Sequence, residues 1–125
     1  MGNTGSRVTG VRTVAVPVSD QDRAVAFYVD VLGLELRMDA PLDELGGRWI
    51  EVAPVGADTS VALVPAPAGG AGVTTGIRLA TADATALHAA LAGQGVDVGE
   101  LVTWPDVPPM FEFRDPDGNT LVAVG

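Results

Sequence analysis

The sequence predicts an α+β domain built from one unit used twice, and three observations point to it. Along residues 11–64 the order of elements reads strand, helix, strand, strand, strand, and the same order returns along residues 73–125. Asp20 and Asp83, the residues placed to open the two helices, stand 63 positions apart; Gly33 and Gly95, placed to stop them, stand 62 apart. The chain has 125 residues, 47% of them hydrophobic, enough to bury one core and too few for a multidomain protein.

Residues 1–10, rich in Gly, Ser and Thr, show no apolar period and read as a flexible lead-in to a single domain over 11–125. Val11 to Val18 is a run of β-branched residues with Pro17 near its end, where a missing N–H is tolerated. Ser19 or Asp20 then caps a helix whose Ala24, Phe27, Tyr28 and Val31 recur at spacings of three and four, one apolar face, until Gly33. Strands follow at Leu34 to Asp39, Arg48 to Ala53 and Thr59 to Val64, separated by Gly, Pro and Asp clusters. Pro65 to Gly72 has the composition of a linker. The second unit repeats the scheme: strand Gly76 to Thr81, helix Asp83 to Gln94 with Leu87 and Leu91 on one face, then strands Val96 to Trp104, Met110 to Arg114 and Asn119 to Val124.

Composition removes several function classes. Sixteen acidic residues against seven basic give a net charge of −9, so no cluster of cations exists to neutralise phosphates of nucleic acid or an anionic membrane. With no cysteine there is no disulfide, thiol nucleophile or thiolate metal site. No apolar stretch approaches the roughly 20 residues of a membrane span, and Met1 to Gly10 lacks the pattern of a signal peptide, so a cytoplasmic protein is expected. The sole histidine, His88, falls inside the second helix and is expected to be solvated or to pack there.

Val16-Pro17-Val18-Ser19-Asp20, Ala24-Val25-Ala26-Phe27-Tyr28, Leu32-Gly33 and Phe113-Arg114-Asp115-Pro116-Asp117-Gly118-Asn119 together resemble the vicinal oxygen chelate superfamily of glyoxalases, extradiol dioxygenases and bleomycin-resistance proteins. The resemblance spans residues 11 to 124. It implies two βαβββ modules forming a curled mixed sheet around a cavity, helices on the outer face, completed by homodimerisation. In the superfamily's enzymes four side chains, His or Gln, Glu, His and Glu, hold one metal. Carried onto this chain, those positions fall on Thr13, about Ala62, Gly76 and Val122, which offer at most one hydroxyl. The expectation is therefore a chain with no metal and no cofactor.

Alternation along a strand sorts side chains onto two faces. If Thr13 and Gly76 face the cavity as the resemblance implies, Ala15 and Arg78 do too. Anchored on the Asp115 to Asn119 turn, Met110 and Glu112 face inward, and Phe111 and Phe113 pack beneath the second helix. By the repeat, Trp49 and Glu51 match Met110 and Glu112, while Met38 and Leu42 match Glu100 and Trp104. The expected ligand-binding set is Met38, Leu42, Trp49, Glu51, Arg78, Trp104, Met110 and Glu112, with the ligand between the two indoles. Glu51 and Glu112 are the expected partners of Arg78, and Glu100 reads as an ordinary solvated residue. A flat aromatic or amphipathic small molecule, such as a cationic natural product, suits such a lining. The favoured function is metal-free binding of the kind found in antibiotic-sequestering members of the superfamily. The alternative is a metal-free isomerase, lyase or cyclase in which Glu51 or Glu112, its pKa raised by burial, acts as general base.

Overall fold

The two helices begin and end by the same chemistry. Asp20 is extended, and its carboxylate accepts the Arg23 N–H at 3.0 Å; Asp83 accepts the Ala86 N–H at the same 3.0 Å. Each satisfies a backbone donor that the first helical turn leaves open. Gly33 and Gly95 follow with φ of 79° and 83°, left-handed values that favour glycine at a helix stop. The computed structural model describes residues 4–125, so the expected lead-in over 1–10 is described only from residue 4, with a short turn at Thr4–Ser6.

The first unit comprises β1 (Thr13–Val18), α1 (Gln21–Val25), β2 (Glu35–Leu42), β3 (Gly47–Ala53) and β4 (Ser60–Pro65). Beyond Val25 the helix continues over Ala26–Val31 with a wider winding, in which Leu32 N–H reaches the Phe27 carbonyl five residues back at 3.1 Å. The second unit comprises β5 (Thr74–Ala80), α2 (Ala84–Gly93), β6 (Met110–Arg114) and β7 (Thr120–Val124). The sheets run β1-β4-β3-β2 and β5-β7-β6, each with one parallel pair, β1 with β4 and β5 with β7, and neither closes. β1 starts two residues later than Val11. β2 runs past Asp39 through Pro41, which an edge strand accommodates because its outer N–H positions need no partner.

The strand expected over Val96 to Trp104 is replaced by two single bridges, Val98 to Phe113 and Val102 to Met110. Four steps on this segment face three on β6, so one extra residue interrupts the ladder. Pro105, Pro108 and Pro109 withhold donors just beyond it. The segment still lies beside β6, where β2 lies beside β3 in the first sheet.

One core joins both units. Val16, Ile50, Val52, Leu63, Leu91, Phe111, Phe113 and Leu121 are fully or almost fully buried with Phe27 and Tyr28. Alternation puts Ile50, Val52, Phe111 and Phe113 on this helix-covered face and Trp49, Glu51, Met110 and Glu112 on the other. Phe111 meets His88 of α2 edge-on at 4.9 Å, and Phe113, which lines a hollow together with Leu87 of α2, also packs against Phe27 of the first helix at 6.4 Å. The aromatic stack therefore crosses between units.

The Asp115 to Asn119 turn locks that crossing. Asn119, fully buried, accepts the Gly72 and Val73 N–H groups at 2.9 Å each and donates to the Pro17 carbonyl at 2.8 Å. Asp115 accepts the Tyr28 hydroxyl at 2.9 Å and the backbone N–H groups of Asp117 and Asn119. Burial and the Asp115 carboxylate push the Tyr28 phenol far above its usual range, so it stays a donor. On the rim, Asp117 pairs with Arg23 at 2.9 Å and accepts the Ser19 hydroxyl.

Removing the buried amide leaves several of these backbone groups unsatisfied. Asn119→Ala is expected to lower unfolding free energy by about 3 kcal/mol in urea titrations, against about 1 kcal/mol for Asp20→Ala, which loses one exposed cap. Equal losses in the two variants would contradict this ranking.

Candidate functional site

On the face away from the helices the pairing registers build two rows. In the first sheet Ala15 stands opposite Ala62, Ala62 opposite Glu51, and Glu51 opposite Met38. In the second, Arg78 stands opposite Val122 and Val122 opposite Glu112, while the Gly99 N–H donates to the Glu112 carbonyl at 2.7 Å. The rows are repeat equivalents and carry different chemistry.

The second row floors an open cavity of about 350 Å³ walled by Arg78, Glu100, Val102, Trp104, Met110 and Glu112. Trp104, which lines this cavity, is 65% exposed. Arg78 is exposed and, among the described residues, makes no ion pair; its guanidinium reaches only the Met110 sulfur, at 3.7 Å. The expected pairing of Arg78 with Glu51 or Glu112 is thus absent. An exposed guanidinium keeps its water, so the burial cost that demanded a partner does not arise. Glu100, expected to be merely solvated, is exposed and also lines this cavity. A second groove, about 580 Å³, runs between the facing edges of β1 and β5, past Ala15, Gly76 and Leu79.

The first row is occupied by its own side chains. Trp49 donates its indole N–H to Glu51 at 2.7 Å, and the Ser60 hydroxyl donates to the other carboxylate oxygen at 2.6 Å. These two bonds, helped by Arg12 and Arg37, hold the Glu51 carboxyl below the usual glutamate range despite the opposing effect of burial. This corrects the expectation of a burial-raised general base at Glu51: hydrogen bonds to the ionised form outweigh desolvation. Met38 is exposed on the edge strand and Leu42 is half-buried at its end. Trp49 lies on β3 and Trp104 in the irregular segment beyond the Val102 bridge, and Trp49, Glu51, Met38 and Leu42 are not part of the cavity at Trp104. The two indoles, expected to flank one ligand, thus do not share this cavity. Ser60 was not singled out by the sequence, because only the β3–β4 register reveals that it reaches Glu51.

The four superfamily metal positions do not fit a metal. Thr13 supplies one hydroxyl, Ala62 and Val122 supply none, and Gly76 has a left-handed φ of 73° where β5 departs from regular pairing. Among the described residues no three His, Asp or Glu side chains come together in a metal-holding group. His88 instead bonds the Gly99 carbonyl at 2.8 Å, tying α2 to the segment that borders the cavity.

Because the folded Glu51 pKa is lowered, its contribution to stability is present above the unfolded value and lost as pH falls through the folded one. The melting-temperature advantage of the parent over Glu51→Gln should be largest near neutrality and shrink on acidification. An advantage that is constant or grows toward acid would contradict the bonding described.

The chain is similar to solved structures of known background. It is 40% identical to TnmS3, an antibiotic binding protein from Streptomyces sp. CB03234, with a TM-score of 0.84 over 94% of this chain and 95% of that one. A glyoxalase/bleomycin resistance protein from the same Streptomyces is 39% identical, with a TM-score of 0.80 over 93% and 100%. A superfamily member from Sphaerobacter thermophilus DSM 20745 is 34% identical, with a TM-score of 0.83 over 94% and 97%. The family model for the Glyoxalase/Bleomycin resistance protein/Dioxygenase superfamily matches residues 10–123. With nearly the whole chain covered by that match and the paired units in place, the protein belongs to the glyoxalase/bleomycin resistance protein/dioxygenase superfamily.

Proposed function

We propose that the protein binds an antibiotic-like aromatic small molecule stoichiometrically, without a metal and without turning it over. The observation that carries this reading is the cavity on the second sheet. There Val122 stands where the superfamily's enzymes place a metal-ligating carboxylate, and Trp104, Met110 and Arg78 wall the space around it. Apolar walls with a few polar groups suit recognition of a flat amphipathic molecule. Similarity to an antibiotic binding protein at 40% identity supports the same reading. The enzyme alternative loses its first base, since Glu51 is bonded as a carboxylate to Trp49 and Ser60.

We further propose that two copies associate. Each sheet ends in an edge strand, and Leu36 and Met38 on edge strand β2 are each 46% exposed, as a surface awaiting cover would be. Sedimentation should give a species of twice 12.7 kDa at micromolar concentration; a monomer contradicts the association.

Screening aromatic natural-product antibiotics by thermal shift, then titrating hits calorimetrically, tests the function. Binding should approach one ligand per chain in protein stripped by chelator, with the ligand recovered unchanged. Trp104→Ala should weaken it by about 2 kcal/mol, the scale of a buried aromatic anchor. Metal-dependent conversion of the ligand would overturn the proposal.

A further inference from the structure

We infer that the cavity on the second sheet selects an amphoteric ligand, one carrying an anionic group for Arg78 and a cationic or N–H donor group for Glu112. The inference rests on the reading above that this cavity receives the ligand, and it adds the polarity of what enters.

Arginine pairing across the molecule motivates it. Of the seven arginines, Arg23, Arg37, Arg48 and Arg114 each pair with a carboxylate, at 2.9, 3.1, 2.8 and 3.4 Å, and of the three that make no ion pair among the described residues, Arg7, Arg12 and Arg78, only Arg78 lines this cavity. Arg78 shares its cavity with two carboxylates, yet among the described residues its only polar partner is a thioether, a weak acceptor. Glu112 and Glu100 likewise accept no hydrogen bond through their carboxylates among the described residues. Three charged groups of both signs are therefore available around one apolar floor.

Register separates the charges. Val122 lies between Arg78 and Glu112, one strand from each, so their backbones are held about 9 to 10 Å apart on the same face. A planar molecule resting on Val122 and against Trp104 meets a guanidinium at one end and a carboxylate at the other. The equivalent first-sheet row shows what a satisfied version looks like. There Ala15 replaces the arginine, and Glu51 is filled by Trp49 and Ser60. Only the second row leaves both signs open. A purely cationic ligand would leave Arg78 facing its charge, and a purely anionic one would face Glu112 and Glu100.

Four naphthalene probes separate the contributions by calorimetry: 2-naphthalenemethanol, 2-naphthoic acid, 2-naphthylmethylamine and 6-(aminomethyl)-2-naphthoic acid. The doubly charged probe should bind the parent at least about tenfold more tightly than the alcohol, the scale of a charged hydrogen bond. Arg78→Gln should abolish the advantage conferred by the acid and keep that of the amine, and Glu112→Gln the reverse. Both positions are exposed, and unchanged melting temperatures verify folding. Equal affinity for all four probes overturns the inference and leaves aromatic binding standing. An amine advantage that survives Glu112→Gln and disappears in high salt reflects the −9 net charge alone, and also overturns it. Failure of every probe to bind overturns the reading of the cavity as a ligand site.

Discussion

A single buried amide holds the two units in register. Asn119 bonds the end of β1 through Pro17, the approach to β5 through Gly72 and Val73, and its own turn through Asp115, which in turn accepts the hydroxyl of Tyr28. An amide is suited to this because it donates and accepts at once, so segments offering a carbonyl and segments offering N–H groups can meet on one side chain. With the units fixed this way, Phe27 meets Phe113 across the boundary and a single core forms under both sheets. The opposite faces are thereby left free of helices, and that is where the polar rows lie.

Duplication explains the layout of those rows, and divergence explains their difference. Both units place a glutamate two residues after a large apolar residue, Trp49-Ile50-Glu51 and Met110-Phe111-Glu112. In the first unit the large residue is an indole whose N–H closes onto the glutamate, and Ser60 completes the pair. In the second it is a methionine with no donor to offer, so Glu112 remains available and the Met110 sulfur faces Arg78 instead. Differences at three places, Trp49 against Met110, the Ser60 hydroxyl on Glu51, and Ala15 against Arg78, thus separate an internally satisfied row from an open one.

The helix ends were legible in the sequence because capping is local chemistry: Asp20, Asp83, Gly33 and Gly95 act within a turn of where they stand. Met110 to Arg114 was legible because its alternation is unbroken. The segment from Val96 to Trp104 was not, since the extra residue that interrupts its pairing shows only when its steps are counted against β6. At the site, alternation assigned Arg78, Met110 and Glu112 to one face, and the cavity collects them with Trp104. It could not reveal that Ser60 holds Glu51, or that Arg78 is exposed enough to stand without a carboxylate. Those depend on register and on the openness of the sheets, which are properties of the assembled fold.

The most direct measurement is a set of amide and indole correlation spectra of isotopically labelled, chelator-treated protein titrated with 6-(aminomethyl)-2-naphthoic acid. A ligand seated on the second sheet predicts shifts concentrated at Arg78, Glu112, Val122 and the Trp104 indole, saturating at one ligand per chain, while the Trp49 indole and Ser60 keep their positions. Shifts centred on Trp49 and Glu51, or appearing only after a divalent metal is added, would contradict the account.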